Sequence, residues 1–353
     1  MKRKLQDMLK KEIENSLFSG AGIGVFSKKN NLKIDIYQGT TDKFSGEPIC
    51  EDTFFDLASL TKAMVTALLT MTLVRDGLVL STPLTEIYGE KIGIGGEVTI
   101  MDLLLHQSGL VDHRKFYERC FTGCKTFILS QIIAEKPIYK RGEKQVYSDL
   151  GYILLGDIIE KWSGENLASL WKKRIVNPLK LEDQFLFSSE WQLANKSCAC
   201  TTSIVDNSVN YCGQVHDDNC RVMGGISGHA GLFGTIKGSL NLYISLLNCF
   251  LGKGDLSFIK QDILKQFWKK PEKSRWALGF DTPATLFSTS GKYFSQESVG
   301  HLGFTGTSFW IDPVKEIVVA VFTNRAIYNN NLSDMKKFRP RVHNVIMEEL
   351  NIL

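Results

Sequence analysis

No run in this sequence is long and apolar enough to read as a membrane span. Residues 63–74 are 12 uncharged residues between Lys62 and Arg75. That suits a buried helix and falls well short of the roughly 20 residues that cross a bilayer. Charge of one sign is also lacking. Lys and Arg number 42 against 38 Asp and Glu, a net +4 over 353 residues. Such a balance leaves no electrostatic footprint for nucleic acid, and no aromatic-basic repeat appears. Prolines number only 8, and no Pro/Ser linker, low-complexity segment or internal repeat divides the chain. The N-terminal "MKRKLQDMLKKEIENSLF" has no apolar core or small-residue cleavage site, so it does not read as a signal peptide. Leu5, Met8, Leu9, Ile13 and Leu17 recur there at helical spacing, which predicts an amphipathic helix packed on the fold rather than lying on a membrane. The expectation is a soluble cytoplasmic protein, periplasmic or extracellular where a leader has been removed.

Metal-binding patterns are also scarce. Eight cysteines at 50, 120, 124, 198, 200, 212, 220 and 249 are irregularly spaced and include no C-x2-C pair. Free thiols in a reducing compartment are the expectation. Cys198, Cys200, Cys212, His216 and Cys220 could supply zinc ligands, but a C-x-C ahead of a Thr/Ser/Asn loop is a poor knuckle. Neither a metal nor a cofactor is expected.

What is present is a strand pattern at both ends with helical patterns between. "AGIGVFSKKNNLKIDIYQGTTD" predicts strands over 21–27 and 32–39 around a KKNN turn. Gly20, Gly22 and Gly24 do not make G-x-G-x-x-G and open no helix, which excludes a dinucleotide loop. Helical stretches follow: from Ser59 to a C-cap at Gly77, then 99–110, 150–164, 166–176 and 238–251. Residues 300–326 return to strand character around a DPVKE turn. A terminal helix is predicted after Pro340. The fold expected is mixed α/β (α+β): an antiparallel sheet flanked by helices, built by residues 1–80 and 270–353, with a mostly helical subdomain, 81–269, inserted. The two form one catalytic unit with a site at their seam.

The chemistry starts at "FFDLASLTKAM". Ser59 and Lys62 share one face of a helix, so the amine can reach the hydroxyl and activate it. A Ser at the first turn also meets free backbone N–H groups suited to an oxyanion. Leu57, Leu60, Met64 and Leu68 supply an apolar surround. The spacing alone is weak. S-x-x-K recurs at Ser169–Lys172, Ser257–Lys260 and Ser333–Lys336, and an N-cap Ser with a snorkelling Lys would look the same. Two later motifs change the balance. "YSDLGYILLGDIIE" starts a helix at Tyr147, whose phenol can relay protons beside a Lys. "GHLGFTGTSFWIDP" opens a strand whose glycines permit close backbone approach to a substrate carbonyl. "GGISGHAG" fails G-x-S-x-G because His229 occupies the last glycine, which argues against a nucleophile elbow at Ser227. His106, His216 and His229 read as hydrogen-bonded structural histidines, with a substrate-side position for His106 and substrate contact by His216 or His229 as the alternatives.

In this order the three motifs resemble those of the β-lactamase and penicillin-binding protein superfamily, and most closely the branch of class C β-lactamases, D-alanyl-D-alanine carboxypeptidases and related esterases. "SLTK" looks like the nucleophile motif, "YSD" like Y-x-N and "HLG" like K/H-x-G, over roughly residues 20–330. The resemblance implies a β-lactamase/transpeptidase-like fold and a serine hydrolase with an acyl-enzyme on Ser59. It implies general acid–base work by Lys62 and Tyr147, and an oxyanion hole from the backbone N–H groups of Ser59 and Phe304. Asp149, His301 and Gly303 would contact substrate, a small ester, amide or peptide. Two positions depart from the pattern. Asp149 replaces Asn and cannot donate to an amide, but it can pair with Lys62 and shift base duty to Tyr147. His301 replaces Lys and is largely neutral at pH 7. Both weaken the case for efficient β-lactam hydrolysis, so esterase or D-amino-acid-type peptidase activity is expected, with a catalytically weak sensor or scaffold as the alternative. Substrate identity and oligomeric state stay open.

Overall fold

In the computed structural model, residues 1–351 are described, except 45, 91, 194–195, 203–209, 255 and 329–331. Seven strands form one antiparallel sheet in the order Leu32–Gly39, Gly20–Ser27, Ile317–Thr323, Ser308–Asp312, Val299–Leu302, Phe280–Asp281, Trp276–Ala277. All seven come from near the two ends of the chain. The central strand "IVVAVFT" is buried throughout, so its alternate side chains must find cover on both faces. Val319 and Val321 pack with Leu5 and Leu9 of the N-terminal helix and Ile346 of the C-terminal helix. Val318, Ala320 and Phe322 face the other way into the main core. There the helix Ile236–Phe250 lies across the sheet. A Cβ on Gly22 would come within 2.7 Å of Ile236, so the early glycines give that helix room instead of cradling a nucleotide.

The helix Lys2–Glu14 buries Leu5 and Leu9 against the fold, and no helix among the described residues is long and apolar enough to cross a membrane. The expected helices recur with shifted ends. Asp149–Ser163 begins two residues after Tyr147, capped by Ser148. The C-terminal helix runs Leu332–Glu349 straight through Pro340 instead of starting after it. Residues 300–326 hold two turns, not one, because 303–307 form a tight turn between strands.

The helix carrying the S-x-x-K pair also differs. Ser59 sits in the turn before it, and Lys62–Ala67 winds as a π-segment before α-geometry resumes at Leu68–Arg75. A π-segment leaves carbonyls poorly matched within the helix. Here the Trp171 indole N–H donates to Met64 O at 2.9 Å. Gly77, at φ 110, ends the helix. Upstream, Phe54–Asp56 lies in a second, four-stranded sheet between Leu232–Gly234 and Cys198–Ala199, which fixes the start of the Ser59 turn.

The expectation of eight free thiols is overturned: Cys200 and Cys212 are joined by a disulfide. Their separation of 12 residues gave no pairing signal, because only the folded loop brings the two together. Cys198 and Cys220 are free and buried, and among the described residues no cluster suited to a metal occurs. Protein purified without reductant, then denatured and alkylated, should therefore take up label at the six cysteines that are free here. Uptake at all eight by intact mass would contradict the disulfide.

Candidate active site

The Ser59 turn is held from below by a carboxylate. Asp56 is buried, and its two oxygens accept the Ala58 N–H at 2.8 Å and the His216 N–H at 2.7 Å. Burial, partly offset by these two bonds, pushes its pKa up to about 6. Ala58 takes φ 48, a left-handed conformation that costs energy in a non-glycine residue. The result presents the Ser59 hydroxyl to a cavity of about 1080 Å³. Ser59 does not cap the helix. Its Oγ meets Lys62 Nζ at 2.9 Å.

Lys62 is fully buried at 0% exposure. Its Nζ pairs with Asp149 Oδ1 at 2.7 Å and donates to His229 O at 3.2 Å, and it lies 4.9 Å from the centre of the Tyr147 ring. Burial opposes the ammonium, but Asp149 and Tyr147 outweigh it, and the Lys62 pKa lies above the ordinary lysine value. Asp149 mirrors this. Its burial favours the acid, yet Lys62 and then His113 hold the carboxyl far below the usual range. His113 Nδ1 lies 3.5 Å from Asp149 Oδ2. The pair is thus an ammonium that is fully buried and a carboxylate that is 19% exposed at the floor of the cavity.

Tyr147 shares this floor. Its ring lies 4.9 Å from Lys62 Nζ, and burial, only partly offset by the Lys62 charge, keeps the phenol protonated, with a raised pKa. The ring is one of a stack. His106 lies 4.6 Å from Tyr147, 5.0 Å from Tyr152 and 5.1 Å from Trp276. Burial and Lys62 drive the His106 pKa well below its ordinary value, and its Nδ1 accepts the Ser148 N–H at 3.0 Å. The sequence reading of His106 as a satisfied structural residue holds, and what it satisfies is the backbone between Tyr147 and Asp149.

The opposite wall is the end of the strand Val299–Leu302. His301 Nδ1 lies 3.0 Å from Leu302 O. Burial, then the Lys62 charge, lower its pKa to about 3, so it is neutral at pH 7. Gly303 admits no side chain: a Cβ would lie 2.0 Å from Thr307 Oγ1 and 2.9 Å from Leu57 O. The strand end and the Ser59 turn therefore touch backbone to backbone. Two buried guanidinium groups grip this turn, and Arg339 also lines the cavity. Arg339 donates to Gly303 O at 2.6 Å and Thr307 O at 3.0 Å, and Arg325 Nε donates to Phe304 O at 3.0 Å. In a trans peptide the C=O and the next N–H point opposite ways, so the hold of Arg339 on Gly303 O also fixes the orientation of the Phe304 N–H.

All seven positions singled out in the sequence meet here. Six line the cavity and Lys62 lies beneath Ser59. Of the look-alike pairs, Lys172 contacts Glu190 instead of its serine, and Lys260 is exposed. His216 stacks on Phe304 at 5.2 Å. His229 bonds Ser227 Oγ at 2.8 Å and Asp217 Oδ1 at 2.9 Å, which anchors the loop whose carbonyl meets Lys62. Sequence reasoning missed Asp56, His113, Arg325 and Arg339. Only Asp56, three residues before Ser59, had a local signal.

A family model described as "Beta-lactamase" matches residues 8–339. A putative D-alanyl-D-alanine carboxypeptidase of Salmonella enteritidis PT4 is 28% identical over 333 residues, covering 84% of this chain and 77% of that protein. Among solved structures, a class C beta-lactamase aligns with a TM-score of 0.74 at 17% identity, over 98% of this chain and 97% of its own. Simvastatin synthase from Aspergillus terreus aligns with a TM-score of 0.75 at 16% identity, over 98% of each chain. At such identities the structural likeness is one of fold.

The electrostatics yield a test. Asp149→Asn removes the charge that outweighs burial at Lys62, so the Lys62 pKa should fall below the ordinary lysine value. Nζ-detected NMR titration should show Lys62 losing its proton at lower pH in Asp149→Asn than in the unaltered protein. An unchanged titration would contradict the pairing.

Proposed function

The chain belongs to the Beta-lactamase family, and on that premise we propose that it is a serine hydrolase cleaving small esters or amides through an acyl-enzyme on Ser59. The observation that carries this reading is the 2.9 Å contact of Ser59 Oγ with a buried Lys62 that is itself paired with Asp149 at 2.7 Å. A charged Lys62 cannot take the serine proton. Tyr147 takes it, and as Oγ attacks the acyl carbon, its own phenolic proton passes to the departing oxygen or nitrogen. The phenol ends as it began, so no phenolate need persist in a site that disfavours one. Lys62 remains a fixed positive charge beside the reacting oxygen. The N–H groups of Ser59 and Phe304 receive the carbonyl oxygen, the latter aimed by Arg339. Water then follows the same path in reverse and releases the acid.

Neutral His301 offers a substrate carboxylate no ionic contact, which supports esterase or D-amino-acid-type peptidase activity over β-lactam hydrolysis. The reading also places the reaction at the seam of the proposed units 1–80/270–353 and 81–269, with Ser59 from one and Tyr147 and Asp149 from the other. The Cys200–Cys212 disulfide supports an oxidising compartment over the cytoplasm.

A fluorophosphonate or fluorescent penicillin should label the protein and leave Ser59→Ala unlabelled. Tyr147→Phe should slow acylation by about 10² or more, the contribution of a general acid–base group. Failure to label the unaltered protein would favour a sensor or scaffold role, and a near-normal rate in Tyr147→Phe would remove that residue from the reaction. Panels of p-nitrophenyl esters, D-Ala peptides and nitrocefin would then rank the substrate classes.

A further inference from the structure

Asp56 lies three residues before Ser59, is buried, and takes no part in the reaction proposed above. Neither neighbouring strand, Leu232–Gly234 or Cys198–Ala199, brings a cation to it. A buried carboxylate without a close counter-charge is costly unless hydrogen bonds replace its hydration. Both bonds here come from backbone donors, the Ala58 N–H at 2.8 Å and the His216 N–H at 2.7 Å. An amide could not replace the carboxylate, because its NH2 would face one of two N–H groups. The position therefore requires an acceptor at each oxygen.

The two donors lead to the two N–H groups assigned to the oxyanion. Ala58 precedes Ser59 and is held at φ 48. His216 stacks its ring on Phe304 at 5.2 Å. The backbone beside Asp56 makes a parallel tie. Asp56 O accepts the Thr305 hydroxyl at 2.7 Å, and Leu57 O accepts the Thr307 hydroxyl at 3.2 Å. The Ser59 turn and the 303–307 turn are thus joined at one residue, and only the side-chain tie depends on charge. Burial raises the Asp56 pKa to about 6 against its two N–H bonds, with Asp217 adding to the rise and Arg221 opposing it. The other groups around it keep their state near that pH. Burial lowers the His216 pKa to about 4, so the ring is neutral. Asp217, whose burial is outweighed by His229, lies below its ordinary value. Arg221 is paired with Asp218. Burial pushes the Cys198 and Cys220 thiols up. A proton on Asp56 turns one acceptor into a donor that faces an N–H.

We propose that Asp56 is a positioning residue whose carboxylate sets the spacing between the Ser59 and Phe304 N–H groups, and that protonating it loosens the oxyanion hole in mild acid. This rests on the hydrolase reading above for what the spacing does, but the coupling can be tested without turnover. In an NMR titration of the unaltered protein, the Asp56 carboxyl carbon and the Ala58, His216 and Phe304 amides should shift together, with one midpoint near pH 6. Fluorophosphonate labelling of Ser59 should slow as the pH falls through the same midpoint. Asp56→Asn should label more slowly by about 10² well above that midpoint, as when one oxyanion donor is lost, and should lack the inflection. His113, beside Asp149, is another group whose proton is held in this range, because Asp149 raises its pKa. An inflection that survives in Asp56→Asn and disappears in His113→Asn would overturn the proposal. So would Ala58 and His216 signals that titrate while Phe304 stays still. If Ser59 is never labelled, the hydrolase reading fails, and if Asp56→Asn does not fold, its rates are lost. In both cases the titration of the unaltered protein still decides the coupling.

Discussion

The site depends on one buried contact, that between the Lys62 ammonium and the Asp149 carboxylate. An ammonium with no water around it is costly unless a counter-charge and hydrogen bonds replace its hydration. Asp149, Ser59, Tyr147 and the His229 carbonyl together do this. Each is then fixed by its own partner. Asp149 stands on the Ser148 cap that His106 steadies, Ser59 on the Asp56 clamp, and His229 on Asp217 and Ser227. Removing one partner of such a pair leaves the other charge buried and alone, which typically costs about 3–5 kcal/mol. The arrangement is therefore rigid, and in the proposed reaction it leaves Tyr147 to move the proton.

Other members of the same constellation respond to that charge. Lys62 helps hold His301 and His106 neutral, so the wall facing Ser59 offers shape and hydrogen bonding instead of positive charge. Positive charge lies farther from Ser59, at the strand turn in Arg325 and Arg339 and in the cavity lining at Lys270, Arg275 and Lys336.

Much of the fold was legible because the strands at both ends show β-branched runs and the helices show periodic apolar positions. The candidate site was legible because three short motifs carry their residues on adjacent positions. What was not legible depends on approach through space. Arg339 grips Gly303 from 36 residues away, and nothing in "KKFRPRVH" marks that arginine. Cys200 and Cys212 meet only because the loop between them folds back. The helix through Pro340 was misread because a proline normally interrupts hydrogen bonding from within, yet Met335, Phe338, Val342 and Ile346 on either side of it are all buried in one core. Packing on the sheet overrode the local signal. Asp149 was readable as a departure, and so was its pairing with Lys62; what the sequence did not show is that Lys62 is fully buried beneath Ser59.

The central claim concerns where protons sit, and neutron diffraction from deuterated crystals reads this directly. Three deuterons on Lys62 Nζ, none on Asp149 and one on the Tyr147 oxygen are the result this account requires. A neutral Lys62 with two deuterons beside a protonated Asp149 would contradict it, and would return the role of base to the lysine.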